Sequence, residues 1–295
     1  FPAYQKPLLQ NETYEQYHRL PRFNAGKQKS IIMISYRNAL LLIDMQYDFC
    51  HPKGALYVPG ADKDVVRTAG FIRKNRTFIE RIIFTMDFHQ VTDISHPRFW
   101  ANREGLHPVP FTRISSQDIA EGKWRALFYP ETAHAYVRNL ELQGEYVHTI
   151  WPEHCIMGSR GSAIADEVMD AVCEWAGDGR FFRAVIKGTN PLTEHFGAIR
   201  ANIPVEDDDT TKVNHTLLKE LEMYDTIYLA GEARSHCVAN TIKQLGEFPH
   251  LIKKLVLLDD CTSSVPGFED IASTIYEKAF ASGMRVCDSE TRIPD

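Results

Sequence analysis

Cys237 lies in Leu229-Ala230-Gly231-Glu232-Ala233-Arg234-Ser235-His236-Cys237-Val238-Ala239-Asn240-Thr241, a pattern that predicts a strand, a tight turn and then a helix. A thiol in the first turn of a helix faces the positive end of the helix dipole, which favours the thiolate. The backbone N–H groups of such a turn are also ready donors for an oxyanion. Most cysteines are inert buried thiols. Position reverses that expectation for Cys237, whereas Cys50, Cys155, Cys173, Cys261 and Cys287 keep it. Activating a thiol requires a base and a group that tunes its charge. Asp44 and Lys187 each follow a short apolar run, as Cys237 does after a brief loop. An Asp beside a thiol can take its proton and later return it to a leaving amine. A Lys between the two holds the Asp ionised and favours the thiolate. Singly, an Asp or Lys after a strand is more often a cap or an ion-pair partner; together the three form a stronger signal.

A second set of residues suits a metal ion. Asp87-Phe88-His89 follows another apolar run, and residues two apart in extended chain point to the same side. His96 follows seven residues later, and His154 lies in Trp151-Pro152-Glu153-His154-Cys155. One carboxylate with two or three imidazoles fits a divalent ion, zinc first, with manganese or iron as alternatives.

The elements that must position these groups are legible as apolar runs. Ala39-Leu40-Leu41-Leu42-Ile43 reads as a strand buried on both faces of a parallel sheet. Similar runs occur at 82–85, 184–186, 226–230 and 255–258, with a sixth near 284–286. Helical patterns fall between most of them, for example at 62–78, 162–176, 236–247 and 267–282. Alternating strands and helices predict a three-layer, doubly wound α/β domain with about six mostly parallel strands flanked by helices. Ligands of such sheets bind beyond the carboxyl ends of the strands, where Asp44, Asp87, Lys187 and Cys237 fall. Residues 1–36 are expected to form an N-terminal arm and 37–295 the domain. Residues 97–147, rich in Pro, Gly and aromatics, are expected to be an inserted loop or small subdomain over the site.

Composition narrows the function further. The 295 residues carry a net charge of -6 with no basic stripe or polybasic run, which argues against nucleic-acid and membrane-surface binding. No apolar run approaches the length of a bilayer span. The chain opens on Phe1, so a removed leader stays open. The six scattered cysteines include no CxxC pair, and a reduced, cytoplasmic protein is the expectation.

The chain resembles the isochorismatase-like cysteine hydrolases, and most of all their nicotinamidase branch, from Ala39 to about Val286. The resemblance rests on Leu41-Leu42-Ile43-Asp44-Met45-Gln46-Tyr47-Asp48-Phe49, on Asp87-Phe88-His89 with His96, and on Trp151-Pro152-Glu153-His154-Cys155 running on to Gly158-Ser159-Arg160-Gly161-Ser162. It rests also on Ile186-Lys187-Gly188 and Ser235-His236-Cys237, the five segments standing in the family's order. The resemblance implies hydrolysis of a small carboxamide, nicotinamide first, through a thioester on Cys237. Asp44 would be acid and base, Lys187 the third catalytic residue, and the N–H groups of Ala233 and Cys237 the oxyanion hole. It implies a cis peptide at Glu232-Ala233 and one divalent metal on Asp87, His89, His154 and His96, orienting the substrate through its ring nitrogen. Phe49 and Trp151 would sandwich the ring, with His236 and Phe196 completing the pocket. Homo-oligomers are common among such proteins. Three departures stand out: Phe196 replaces a tyrosine, Glu232 puts a charge where relatives often carry an apolar residue, and the insertion is long. An N-carbamoyl or ureido compound is the alternative substrate, since relatives of that kind keep the triad without the metal residues. A catalytically silent scaffold is the alternative from another class.

Overall fold

The structure, a computed structural model, describes residues 37–144 and 146–294; the expected arm at 1–36 lies outside the described residues. Six parallel strands build one sheet: β1 (Asn38–Ile43), β2 (Ile79–Asp87), β3 (Arg183–Lys187), β4 (Thr226–Gly231), β5 (Leu255–Leu258) and β6 (Arg285–Cys287). Their order across the sheet is β3-β2-β1-β4-β5-β6. The chain therefore winds outward in one direction from β1 and then, from β4, in the other. A crevice opens at the carboxyl edge where the order reverses.

Period-two alternation explains the layers. Leu40 and Leu42 of β1 join one core with Phe71, Ile82, Phe84 and Trp175, while Ala39, Leu41 and Ile43 join a second with Ile83, Leu229 and Leu257. The first core is covered by α1 (Ala61–Lys74) and, after an intervening helix, by α3 (Asp166–Ala176). The second lies under α4 (His215–Glu222), α5 (Ala239–Gly246) and α6 (Ser273–Ala281). The Asn214 side chain caps α4 by accepting from Leu217 N–H, and Leu217, Leu218 and Leu221 turn inward. Burial on both faces, expected for every strand, fails at the edges. Ile186 of β3 is 47% exposed and Val286 of β6 is 52% exposed, because each of these strands has a single neighbour.

Residues 97–147 contain more regular structure than a loop. Trp100–Ala101 pairs antiparallel with Arg125–Ala126, and the helix that follows them, α2, spans Pro130–Gln143. Ala133, Tyr136, Val137 and Leu140 form its buried stripe and join Ile94, Phe99, Trp100 and Ile150 in a third small core. That core touches Phe196, so the segment packs against the wall of the crevice.

Candidate active site

Paired neighbours bring the charged residues together. Asp87 and Lys187 are register partners at the ends of β2 and β3, and Asp44 follows the end of the adjoining β1. Gly188 then turns sharply with φ +76, where a Cβ would fall 2.5 Å from Asp87 Oδ1. Only glycine lets the chain leave Lys187 in that direction. Lys187 Nζ sits 2.8 Å from Asp44 Oδ2, 3.1 Å from Asp87 Oδ1 and 3.8 Å from Cys237 Sγ, and it donates to the His195 carbonyl at 2.8 Å. Burial alone would lower the Lys187 pKa, but Asp44 and Asp87 hold it well above the usual lysine range. Burial raises Asp44 while Lys187 opposes the rise. Asp87 moves the other way, below the usual carboxylate range, because Lys187 and His89 outweigh its burial.

Cys237 lies in a widened helical turn, Arg234–Val238, that leads directly into α5. Such wide turns are frequent at functional sites. The peptide bond Glu232-Ala233 is cis, as expected. The helix dipole, expected to favour the thiolate, works here against burial. Burial pushes the Cys237 thiol well above its ordinary value despite Lys187, and Asp44 lies within its hydrogen-bonding reach. The thiol stands beside a carboxyl whose basicity burial enhances, a geometry that allows a proton to pass between them.

Asp87, His89 and His154 offer one ligand atom each, all within 4.8 Å of one another. His89 Nε2 is 3.1 Å from Asp87 Oδ2, and His154 Nε2 is 4.0 Å from the same oxygen. The opposite nitrogens are engaged: His89 Nδ1 meets Asp93 Oδ2 at 3.0 Å and His154 Nδ1 meets the Pro152 carbonyl at 2.8 Å. This is how a ligating histidine is oriented, with the second nitrogen anchored and Nε2 turned toward the ion. His96 stands against the trio, its Nδ1 on the Gln90 carbonyl at 3.0 Å and its Nε2 3.3 Å from His154 Nδ1. Burial lowers His96 and His154 to about 3, which keeps both imidazoles neutral, the form that binds metal. His89 goes up instead, since Asp87 and Asp93 override its burial.

Beside these groups lies a small cavity. Phe49, Trp151, Phe196 and His236 all line it, as do Ala233, Cys237, Asp87 and His154. The expected site residues therefore gather in one place, with Lys187 behind Cys237 and His96 behind His154. Burial lowers His236 to about 3, so a neutral ring faces the cavity, its Nδ1 2.9 Å from Ser235 Oγ.

Several contributors were not foreseen. Thr85 donates its hydroxyl to Asp44 Oδ1 and accepts from Asp44 N–H at 3.0 Å, fixing a residue whose φ is +44. Gln46 binds both the N–H and the carbonyl of Asp87, at 2.7 and 2.8 Å. Asp93 orients His89. Glu194 lines the cavity, and burial raises it to about 8.

This sheet order, with its helical cover, is the isochorismatase-like fold. Curated proteins to which the chain is similar are nicotinamidases. The nicotinamidase of Saccharomyces cerevisiae is 23% identical over 251 residues, covering 84% of this chain and 98% of its own. The crystal structure of yeast nicotinamidase bound to the inhibitor nicotinaldehyde matches with a TM-score of 0.58 at 21% identity, over 85% of this chain and 99% of that one. A Pyrococcus horikoshii pyrazinamidase solved in complex with zinc matches with a TM-score of 0.50 at 20% identity, over 85% and 99%. No protein-family profile matches the chain.

Proposed function

We propose that this chain is a metal-assisted cysteine amidohydrolase that converts nicotinamide and water to nicotinate and ammonia. The observation that carries the reading is the Asp44–Lys187–Cys237 cluster beside an aromatic-lined cavity that Asp87 and His154 also line, with His89 next to both. Asp44 takes the thiol proton as Cys237 Sγ attacks the carboxamide carbon. The N–H groups of Ala233 and Cys237 receive the oxyanion. Asp44 then protonates the departing ammonia and deprotonates the water that opens the thioester. Lys187 keeps its charge throughout and holds Asp44 in place. Phe49 and Trp151 flank the ring, and Phe196 and His236 close the pocket.

Asp87, His89 and His154 would hold one divalent ion, with His96 as a further ligand. The ion supplies a Lewis-acid contact for a pyridine nitrogen. Support for zinc comes from the nitrogen-rich donor set and from the zinc complex of the pyrazinamidase with the same fold. We assign the chain to pyridine-nucleotide salvage in the cytoplasm, as a homo-oligomer. All six cysteines are free thiols, which fits a reducing compartment. Among the described residues no helix is long and apolar enough to cross a membrane.

Ammonia release from a panel of carboxamides, with and without chelator, tests the reading. Nicotinamide should be the preferred substrate, with activity lost on chelation and restored by added zinc. Preference for an N-carbamoyl compound, untouched by chelation, would move the chain to another substrate class. No turnover at all would make it a scaffold.

A further inference from the structure

Behind the oxyanion side of the cavity, two buried carboxyl groups meet. Glu232, directly after β4, is fully buried, and Asp64 on α1 is 2% exposed. Their side chains lie within hydrogen-bonding reach of each other. Ser263 bridges them, donating its N–H to Glu232 Oε2 at 3.2 Å and its hydroxyl to Asp64 Oδ2 at 2.5 Å. Arg67 Nη1 reaches Asp64 Oδ1 at 3.1 Å, from a side chain that is 43% exposed. Glu232 Oε1 has no donor among the described residues. Cys50, Cys261 and Asp260 also lie near the pair, with Tyr276 further off, while Arg234, two residues along the chain, pairs with Asp259 at 2.8 Å. Two carboxylates cannot both stay ionised in contact without water. The proton belongs on Glu232, the partner without an arginine.

The pair is tied to the reacting groups. Glu232 immediately precedes Ala233, whose N–H is assigned to the oxyanion. The Ser263 carbonyl accepts from Arg234 N–H at 2.8 Å, and Val265 N–H donates to Ser235 Oγ at 3.1 Å. Ala233, His236 and Val265 all line the cavity. We propose that Glu232 and Asp64 share one proton and act as a positioning pair that clamps the nucleophile turn, α1 and the Ser263–Val265 loop together, setting the oxyanion donors. The role rests on the amidohydrolase reading above. Losing the proton places two like charges in contact and loosens the clamp. Turnover then falls while binding between the aromatic walls changes little.

The sign follows from burial, which pushes Glu232 well above the usual carboxylate range and raises Asp64 too. Acids raised in the folded state add stability that is full below their unfolded pKa and is lost as pH rises through the folded value. The experiment measures kcat, KM and melting temperature for nicotinamide hydrolysis by the zinc-loaded wild type, Glu232→Gln and Glu232→Leu, between about pH 6 and pH 10. Glu232→Gln carries a permanent donor for Asp64. It should keep kcat within about threefold at neutral pH, lose the part of the alkaline fall that belongs to the pair, and flatten the melting profile. Glu232→Leu should lower kcat about tenfold with KM within about twofold. Identical alkaline limbs in wild type and Glu232→Gln would overturn the proposal, as would a Glu232→Leu protein that melts lower with unchanged kcat. A wild type that hydrolyses no carboxamide refutes the functional reading and the positioning role together, while differing melting profiles would still establish the shared proton.

Discussion

Two pairs of buried carboxyl groups flank this cavity, and the fold treats them in opposite ways. Asp44 and Asp87 have a buried lysine between them, 2.8 and 3.1 Å away. Asp64 and Glu232 meet with only a half-exposed arginine on one side. The first pair keeps its charge organised around Lys187 and is suited to moving a proton to and from sulfur. The second needs a proton merely to exist and is suited to holding backbone. The lesson is that burial does not decide a carboxyl's role; the nearest cation does.

Replacing the cation tests that contrast most severely. Lys187→Met turns the first pair into a version of the second, leaving Asp44 without a cation and Asp87 with His89 alone beside it. A destabilisation of about 3–5 kcal/mol in denaturant titrations is expected, with loss of amide hydrolysis in whatever remains folded. Near-wild-type stability would mean that Lys187 does not compensate Asp44 and Asp87.

A smaller effect sharpens the comparison at the metal corner, where Asp87 is shared. Asp93→Asn replaces a carboxylate acceptor on His89 Nδ1 with a neutral group. Zinc affinity measured by competition with a chromophoric chelator should fall by about 10- to 100-fold. Unchanged affinity would remove Asp93 from the support of the site.

Much of this arrangement was legible because chemistry follows directly on apolar runs. Leu42-Ile43 ends at Asp44, Ile83-Phe84 leads to Asp87, and Val185-Ile186 stops at Lys187. Once parallel pairing is inferred, these positions must share one edge. What stayed hidden depends on partners remote in sequence. Nothing around Thr85 announces that its hydroxyl meets Asp44, nor around Asp93 that it orients His89. Glu232 was visible as a misplaced charge, but its explanation lies on α1, in Asp64. Helix α2 is a different kind of omission. Its stripe Ala133, Tyr136, Val137 and Leu140 follows helical spacing and can be read directly. The surrounding Pro, Gly and aromatic residues obscured it. The upward push on the Cys237 thiol could not be read from position alone, because the dipole is readable in sequence and the depth of burial is not.

The central claim is that Cys237 forms a thioester with the acyl part of a pyridine carboxamide, using Asp44 as proton carrier. Rapid acid quench during nicotinamide turnover, followed by mass spectrometry of the peptide carrying Cys237, tests it most directly. The account predicts a nicotinoyl adduct on that cysteine, absent from Cys237→Ala, which should fold normally and lose about a thousandfold or more in ammonia release. An adduct on another residue, or full turnover by Cys237→Ala, would contradict it.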